Sequence, residues 1–434
     1  MSYSITRFTC FFLVALSLAA ASERPNVILI ISDDHAFDDY GFMGSERVNT
    51  PVLDKLADES LTYTRGYVMP VCSPTLASLI TGKLPHEHGI TGNDLADMSS
   101  RYGLKSREKI AEQLQSNALI LPRALTEAGY LTFQTGKLWN GTYEDMGFTH
   151  GMTSKGSRHG DEGLKIGRES MQPIFDFIEM AGRANKPFFI WHAPFLPHTP
   201  HNPPERLLKK YRGQGPSPKA EKYFAMVAWL DETTGELEDY LEANQLKENT
   251  VVLYLADNGW NAEKGTRGQR AKMSPYEDGI RTPMMLRWPG KVAPLVDTTT
   301  LAHVTDFPKT ILDITGAEQP GDLLGLNLMD RKAMQARDTV FVEAYTHDMA
   351  DLDDPAQSLF TKVVIHNWWK LLIPTKVEPK RSFATKPKGL ELYNLKTDPY
   401  EKENLAEAHP EVVQQLIQLQ KANWDPAENP CGGE

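Results

Sequence analysis

Unbroken apolar runs constrain the fold of this chain more than any other feature of its sequence. Residues 27–32 read VILIIS, and residues 250–259 read TVVLYLADNG. A strand with one face in water alternates apolar and polar residues, so an unbroken run indicates a strand that is covered on both faces. Strands of this kind are typical of a parallel sheet that lies between layers of helices.

Helical patterns alternate with these strands. Thr50 is a predicted N-cap and Pro51 the first residue of one helix. A second helix ends at Gly129, and the strand after it ends near Gly136 and Lys137. A buried strand over 187–192 and a helix over 223–243 continue the alternation. We therefore expect α/β architecture with a large, mostly parallel central sheet flanked by helices.

The chain changes character after about residue 325. Shorter strand candidates and one closing helix predict a smaller C-terminal α+β domain, residues 326–434, that carries an antiparallel sheet. The larger domain covers residues 23–325. Residues 139–167 are glycine-rich and are expected to form a long surface loop.

The first 22 residues are typical of a secretory signal peptide. Arg7 precedes an apolar run over 8–18 and a small-residue cleavage region at 19–21. The run is short for a membrane span, and no later segment approaches one, so we expect no span in the mature chain. The sequence therefore predicts an exported protein, periplasmic or secreted. Cys72 and Cys431 would remain after cleavage, and no disulfide framework is expected.

Net charge bears on the partners of the chain. The formal charge is −11 at pH 7, which argues against nucleic acid or an anionic membrane as the main partner. A small anionic substrate stays compatible with this charge, because a local basic pocket can lie in an acidic protein.

Two apolar strands end in oxygen donors. Asp33 and Asp34 follow the first run, and Asp257 and Asn258 follow the later one. Ligands of α/β proteins bind outside the carboxyl ends of the strands. Three carboxylates and an amide oxygen suit Ca²⁺ or Mg²⁺ better than zinc. Either pair alone could consist of turn residues, but together they predict a metal site.

Cys72 precedes a proline at the start of a short helical pattern that ends at Gly82. The helix dipole at that end favours negative charge, which predicts a lowered thiol pKa. Position alone leaves two interpretations open, a reactive thiol and a buried structural cysteine.

The motif around Cys72 resembles one family. Residues 72–76 read CSPTL, and residues 81–85 read TGKLP. They resemble the C-x-P-x-R and T-G-[RK]-x-P motifs of the sulfatase family in the alkaline phosphatase superfamily. The resemblance runs from Asn26 to the C-terminal YNLKTDPYEKENLA, over nearly the whole mature chain. It implies that a formylglycine-generating enzyme oxidises Cys72 to formylglycine, whose hydrate supplies the nucleophilic oxygen.

The resemblance also implies the remaining site residues. Asp33, Asp34, Asp257 and Asn258, with Cys72 as formylglycine, match the ligands of one Ca²⁺ ion. Three further residues match catalytic and substrate-binding positions of the family: Lys137, His198 and Lys272. On their own, the two lysines could be solvated surface residues, and the histidine could be a packed loop residue.

Two positions depart from the family pattern. Leu76 stands where the motif has arginine, and Trp139 stands where the T-G-K-W-H motif has histidine. Leu76 can instead extend the apolar helix face of Leu79 and Ile80 into the core. Arg158 and His159 are hypothetical replacements from the following loop.

The resemblance therefore predicts hydrolysis of sulfate esters, with extracellular sulfated carbohydrate as the expected substrate and aryl sulfates as generic ones. Two alternatives stay open. The chain could be a non-catalytic homologue that binds sulfated glycans through Ca²⁺. It could also be a phosphodiesterase or phosphonate hydrolase of the same superfamily.

Overall fold

The computed structural model describes residues 24–96, 104–138, 141–155, 161–261, 270–379 and 384–425, and the structural statements below concern these residues. Five sequence features lie outside them: the predicted signal peptide over 1–22, Trp139, Arg158, His159 and Cys431. In the described part of the chain, no helix is both long and apolar enough to span a bilayer.

The strands, in chain order, are β1 Asn26–Ser32, β2 Leu61–Tyr67, β3 Asp94–Leu95, β4 Leu131–Gly136, β5 His150–Gly151, β6 Phe188–Ala193, β7 Thr250–Ala256, β8 Arg281–Arg287, β9 Leu295–His303, β10 Thr339–Tyr345, β11 Asp348–Met349, β12 Leu359–His366, β13 Trp369–Pro374 and β14 Glu391–Asn394.

The α-helices are α1 Pro51–Asp58, α2 Cys72–Thr81, α3 Pro85–His88, α4 Leu104–Gln115, α5 Leu121–Glu127, α6 Gln172–Arg183, α7 Glu205–Leu208, α8 Pro218–Ala243, α9 Glu277–Ile280, α10 Asp306–Thr315, α11 Arg331–Ala336 and α12 Pro410–Asn423.

The central sheet has eight strands in the order β5-β4-β6-β1-β7-β8-β2-β9. The pairs from β5 through β7 are parallel, β8 runs antiparallel to both of its neighbours, and β2 pairs with β9 in parallel. The prediction of a large, mostly parallel sheet in an α/β fold is confirmed. A four-stranded antiparallel sheet, β10-β12-β13-β14, confirms the predicted C-terminal sheet, and α12 packs on its strand β12.

The position of β1 in the sheet explains its unbroken apolar run. Val27, Leu29 and Ile31 belong to one apolar core, whereas Ile28 and Ile30 belong to a second core on the opposite face. Because successive side chains of a strand point to opposite faces, both faces of β1 are covered and neither carries polar residues.

The parallel direction of four strands positions the functional residues. In register, Ser32 of β1 pairs with Ala256 of β7, so that Asp33 and Asp257 leave the sheet side by side. The end of β4 at Gly136 pairs with Ala193 of β6 at the same edge. Polar residues that are far apart in sequence therefore meet beyond this edge.

The expectation of a surface loop over residues 139–167 is wrong for part of that stretch. Residues 150–151 form β5, the edge strand that pairs with β4. Gly163, in a 3-10 helix over Asp161–Lys165, lies so close to the backbone of Gly136 that a Cβ would come within 2.3 Å of its carbonyl oxygen. The glycines in this stretch permit close packing as well as turns.

A buried ion-pair cluster joins the C-terminal sheet to the rest of the molecule. Lys370 of β13 lies 3.0 Å from Glu277 Oε1 and 2.8 Å from Glu401 Oε1, and all three side chains are almost inaccessible. Burial, despite the nearby ammonium, raises the pKa of Glu401 to about 7. The two carboxylates therefore depend on Lys370 for compensation of their charge.

We predict that Lys370→Ala lowers the free energy of unfolding by about 3–5 kcal/mol, because it leaves buried charge uncompensated. Denaturant unfolding measures this loss. Lys309→Ala is the matched control: it removes the partly exposed pair with Asp313 on α10 and should cost less than about 1 kcal/mol. Equal losses in the two variants would contradict the interpretation.

Candidate active site

Four oxygen- or sulfur-bearing side chains converge beyond the ends of β1 and β7. One ligand atom from each of Asp33, Asp34, Cys72 and Asp257 lies within 4.8 Å of the others, and all four residues are buried. Asn258 completes the set, because its amide nitrogen donates to Asp34 Oδ1 at 2.8 Å. The structure thus brings together all of the residues that the sequence analysis assigned to a metal.

Two oxygens of this cluster lack compensation. Among the described residues, neither Asp33 Oδ1 nor Asn258 Oδ1 has a hydrogen-bond partner, although both are buried. Orphaned buried acceptors cost free energy, and carboxylate and amide oxygens are the donors that Ca²⁺ prefers. The donor set therefore fits a hard divalent cation.

The backbone after β1 has an unusual conformation. Asp34 has a φ of 59°, which is uncommon for a residue with a side chain. Its amide donates to Asp257 Oδ1 at 3.2 Å, and the amide of Asp33 donates to the carbonyl of Leu196 at 2.9 Å. These bonds hold two successive carboxylates in the same small volume.

Lys137 and Lys272 both place their ammonium groups in the cluster. Lys137 Nζ lies 2.7 Å from Asp33 Oδ2 and 3.2 Å from Asp257 Oδ2. Lys272 Nζ lies 2.5 Å from Asp34 Oδ1 and 3.2 Å from Cys72 Sγ. Both ammonium groups are buried, which excludes the interpretation of either residue as a solvated surface lysine.

The pKa values of Asp34 and Asp257 are shifted in opposite directions. Burial opposes the ionisation of Asp34, but the Lys272 ammonium and His198 hold its pKa well below the usual range. Burial and the neighbouring Asp33 charge raise the pKa of Asp257 to about 7, although Lys137 opposes the shift. Two ammonium groups therefore do not fully balance three carboxylates, which again favours a cation at this position.

Cys72 is the first residue of α2 and is fully buried. The prediction that its position lowers the thiol pKa is wrong. Burial raises the pKa to about 12, because loss of hydration, together with the Asp257 and Asp33 charges, outweighs the attraction of Lys137 and Lys272. As an unmodified thiol, this residue is not an activated nucleophile.

His198 lies in the loop after β6, beside Asp34. Its Nδ1 is 2.6 Å from the carbonyl of Thr199, and because a carbonyl only accepts, Nδ1 carries the hydrogen. Nε2 therefore faces the site, 3.4 Å from Asp34 Oδ2. Burial lowers the pKa of His198 to about 4, despite the attraction of Asp34 and Asp33 for the charged form. A neutral imidazole whose Nε2 carries no hydrogen can take up a proton here, and only the ring protonated in this way can deliver one from Nε2.

Leu76 lies in the apolar core with Leu79 and Ile80 and is 1% exposed. This burial agrees with the expectation that leucine extends the apolar helix face. The side chain that stands where the family has arginine therefore offers no polar group to Cys72.

A chain of hydrogen bonds that the sequence analysis did not anticipate reaches the start of α2. The amide of Ser73 donates to Asn93 Oδ1 at 3.3 Å, and Asn93 Nδ2 lies 3.1 Å from His347 Nε2. His347 Nδ1 in turn lies 2.6 Å from Asp348 Oδ1. Asn93 and His347 are 254 positions apart, so only the fold reveals their contact.

Comparison with known proteins agrees with this arrangement. The profile of the family described as Sulfatase matches residues 25–317. A second profile, described as N-sulphoglucosamine sulphohydrolase, C-terminal, matches residues 265–424. The two matches together span the part of the chain that carries the central sheet, the clustered residues and the C-terminal sheet.

Named relatives and solved structures extend the comparison. Arylsulfatase A of Homo sapiens is 28% identical and covers 96% of this chain and 91% of its own length. N-acetylglucosamine-6-O-sulfatase of Bacteroides thetaiotaomicron is 23% identical and covers 73% of each chain. The PsFucS1 sulfatase from Pseudoalteromonas sp. has a TM-score of 0.72 at 21% identity, covering 95% of this chain and 92% of its own.

A further solved structure, in complex with its substrate D-glucosamine-2-N,6-O-disulfate, has a TM-score of 0.72 at 19% identity and covers 95% of this chain and 100% of its own. At these identities, the solved structures show a shared fold. The family profile matches well over half of the chain, and the resemblance predicted from the residues around Cys72 is thus confirmed. This protein belongs to the sulfatase family of sulfuric ester hydrolases, with the alkaline phosphatase-like fold.

Proposed function

We propose that the protein is an exported, Ca²⁺-dependent sulfatase that hydrolyses sulfate esters of extracellular carbohydrate through a formylglycine at residue 72. The observation that chiefly supports this function is the position of Cys72 Sγ. It belongs to the cluster of metal-type carboxylates and lies 3.2 Å from the Lys272 ammonium. A nucleophilic oxygen at that position would face an anionic group bound by cations. The sugar sulfates in the names of the relatives support carbohydrate as the substrate class.

Asp33, Asp34, Asp257, Asn258 and the modified residue 72 would hold the ion. When bound, Ca²⁺ supplies Lewis acidity that polarises a sulfuryl oxygen. Formylglycine would supply a hydrated aldehyde: one hydroxyl would attack sulfur as the bond from sulfur to the alcohol oxygen breaks, and the other, on losing its proton, would restore the aldehyde and release sulfate. A serine or an unmodified cysteine lacks the second hydroxyl.

The two lysines bind and orient the sulfate group. Their ammonium groups come from different segments and face the same small volume, so they can donate to different sulfuryl oxygens of one ester. Because they are buried, their hydrogen bonds to charge that develops in the transition state are stronger than in water.

His198 is the proposed general acid. Its Nδ1 hydrogen is held by the Thr199 carbonyl, so Nε2, which carries no hydrogen in the neutral ring, would first take up a proton when the anionic ester binds and would then deliver it to the alcohol oxygen as the S–O bond breaks. The hypothesis that Arg158 and His159 replace the absent arginine and histidine remains a prediction, since both lie outside the described residues.

The first prediction concerns Cys72. In protein made with a formylglycine-generating enzyme, the tryptic peptide from Gly66 to Lys83 should contain formylglycine and react with a hydrazide probe. Peptide mass spectrometry measures the conversion, and Cys72→Ala is the control for both modification and turnover. Turnover by protein with an unmodified Cys72 would contradict the proposed nucleophile. An unmodified and inactive protein would favour the alternative of a glycan-binding homologue.

The second prediction concerns the metal. Removal of Ca²⁺ with a chelator should abolish turnover, and Ca²⁺ at about 100 times its Kd should stabilise the protein by about 2.7 kcal/mol. Thermal unfolding with and without Ca²⁺ measures this gain, which Asp33→Asn should reduce. Stabilisation by zinc or manganese instead of Ca²⁺ would contradict the proposal and favour a phosphodiesterase of the superfamily.

The third prediction concerns His198. His198→Ala should lower kcat on a sugar sulfate by about 10²- to 10⁴-fold, because a sugar alkoxide leaves poorly without a proton. Turnover of nitrophenyl sulfate should fall much less, since its leaving group needs no proton. His409→Ala, on a partly exposed histidine far along the chain, is the control. Equal losses on both substrates would contradict a role as general acid.

A further inference from the structure

A second cavity adjoins the site and has no role in the reaction described above. Its volume is about 750 Å³, within the range of about 300–1,000 Å³ that is typical of small-molecule sites. The residues of its lining that carry the inference are Asp38, Asn261, Arg270, Asp278, Tyr400 and Lys402.

Chain connectivity places this cavity next to the cluster at Cys72. Asn261 is three residues from Asn258, and Arg270 is two residues from Lys272. Since successive Cα atoms are 3.8 Å apart, these wall residues lie within about 11 Å and about 8 Å of the site residues. These bounds place the cavity wall within the length of an oligosaccharide that has one ring at the cluster.

Hydrogen bonds fix this wall to the site. The amide of Gly259, directly after Asn258, donates to the carbonyl of Gly279 at 2.9 Å. Asn261 Nδ2 donates to Asp278 Oδ2 at 2.7 Å. The cavity wall and the metal-type cluster are thus parts of one connected structure.

Tyr400 contributes an aromatic ring to the lining of the cavity. Tyr400 is 49% exposed, the largest exposed fraction among the big apolar and aromatic side chains of the described residues. Phe37, three residues after Asp34, lies 6.2 Å from its ring centroid, and Lys402 Nζ lies 5.7 Å from it. A tyrosine ring offers a large, rigid contact surface at low entropic cost, and it suits the apolar face of a sugar ring.

The charges of the lining indicate which sugar fits. Five carboxylates and three cations line the cavity: Asp38, Glu46, Glu277, Asp278 and Glu401, with Arg47, Arg270 and Lys402. Lys370 lies against Glu277 and Glu401 behind this lining, so four cations stand against five carboxylates.

One of these cations, Arg47, is already paired with two carboxylates. Arg47 lies 3.0 Å from Asp38 and 2.8 Å from Asp39. The cavity therefore offers no surplus positive charge to a uronate or to a second sulfate, whereas its carboxylates and amide can bind hydroxyl groups.

We propose that this cavity is a second sugar subsite, which holds an uncharged sugar ring next to the sulfated one. The substrate class is then an oligosaccharide or polysaccharide in which the sulfated sugar has a neutral neighbour. This inference rests on the proposed function, because it assumes a sulfated sugar at residue 72.

Kinetics with Tyr400→Ala tests the subsite. The substrates are N-acetylglucosamine 6-sulfate, a 6-sulfated N-acetyllactosamine tetrasaccharide with neutral neighbours, and a tetrasaccharide in which the same N-acetylglucosamine 6-sulfate has uronate neighbours. The wild-type protein should prefer the neutral tetrasaccharide to both others. Tyr400→Ala should lower kcat/KM about tenfold on that tetrasaccharide and leave the monosaccharide unchanged, while the matched variant Tyr400→Phe keeps the preference. Equal effects of Tyr400→Ala on the neutral tetrasaccharide and on the monosaccharide would overturn the inference. A preference of the wild-type protein for the uronate-containing tetrasaccharide would also overturn it.

Binding separates failure of the subsite from failure of the proposed function. Calorimetry with the unsulfated N-acetyllactosamine tetrasaccharide needs no turnover. Binding that Tyr400→Ala weakens about tenfold supports the subsite even if the wild-type protein hydrolyses no sulfate ester, in which case only the proposed function fails. If the wild-type protein hydrolyses sulfate esters but does not bind this tetrasaccharide, the subsite is wrong and the proposed function stands.

Discussion

Uncompensated negative charge at the ends of two neighbouring strands is the constraint on which the rest of the structure depends. Asp33 and Asp257 lie side by side because β1 and β7 are parallel and in register from Asn26 to Ser32. Carboxylates this close are tolerated in the interior only beside cations. Lys137 and Lys272 partly meet this requirement, and the remaining imbalance favours a metal ion. On the proposed function, a sulfate ester would bind only with that cation in place, because the ester adds further negative charge.

Much of the fold could be predicted from the sequence, because the relevant physics is local. The unbroken apolar run of β1 requires cover on both faces, and the two cores on either side of the sheet provide it. Asp33 and Asp257 could be paired from sequence because the ends of parallel strands meet at one edge. Pro51 does begin α1, but the hydroxyl of Thr50, the predicted cap, accepts from the Gly41 amide and donates to Asp54 Oδ1, and it makes no bond to the helix amides.

What the sequence did not reveal depends on contacts between distant segments. The Cys72 thiol pKa follows from burial, which outweighs the helix dipole and is invisible in a local pattern. The contact of Asn93 with His347, and the Tyr400 wall of the second cavity, require the C-terminal segment to fold back onto the larger sheet. Lys370 adds a buried charge cluster to the apolar core that Val363 and Leu372 of the C-terminal sheet share with the central sheet, and periodicity does not detect such a cluster.

The complete burial of Cys72 limits when the residue can be modified relative to folding. Helix α2 is buried along its whole length, and the thiol has no accessible surface. An oxidising enzyme that converts this cysteine must therefore reach it before α2 packs against the sheet. Modification and folding would then compete during synthesis and export. A chain that folds first would keep an unmodified thiol that the modifying enzyme cannot reach in the folded state.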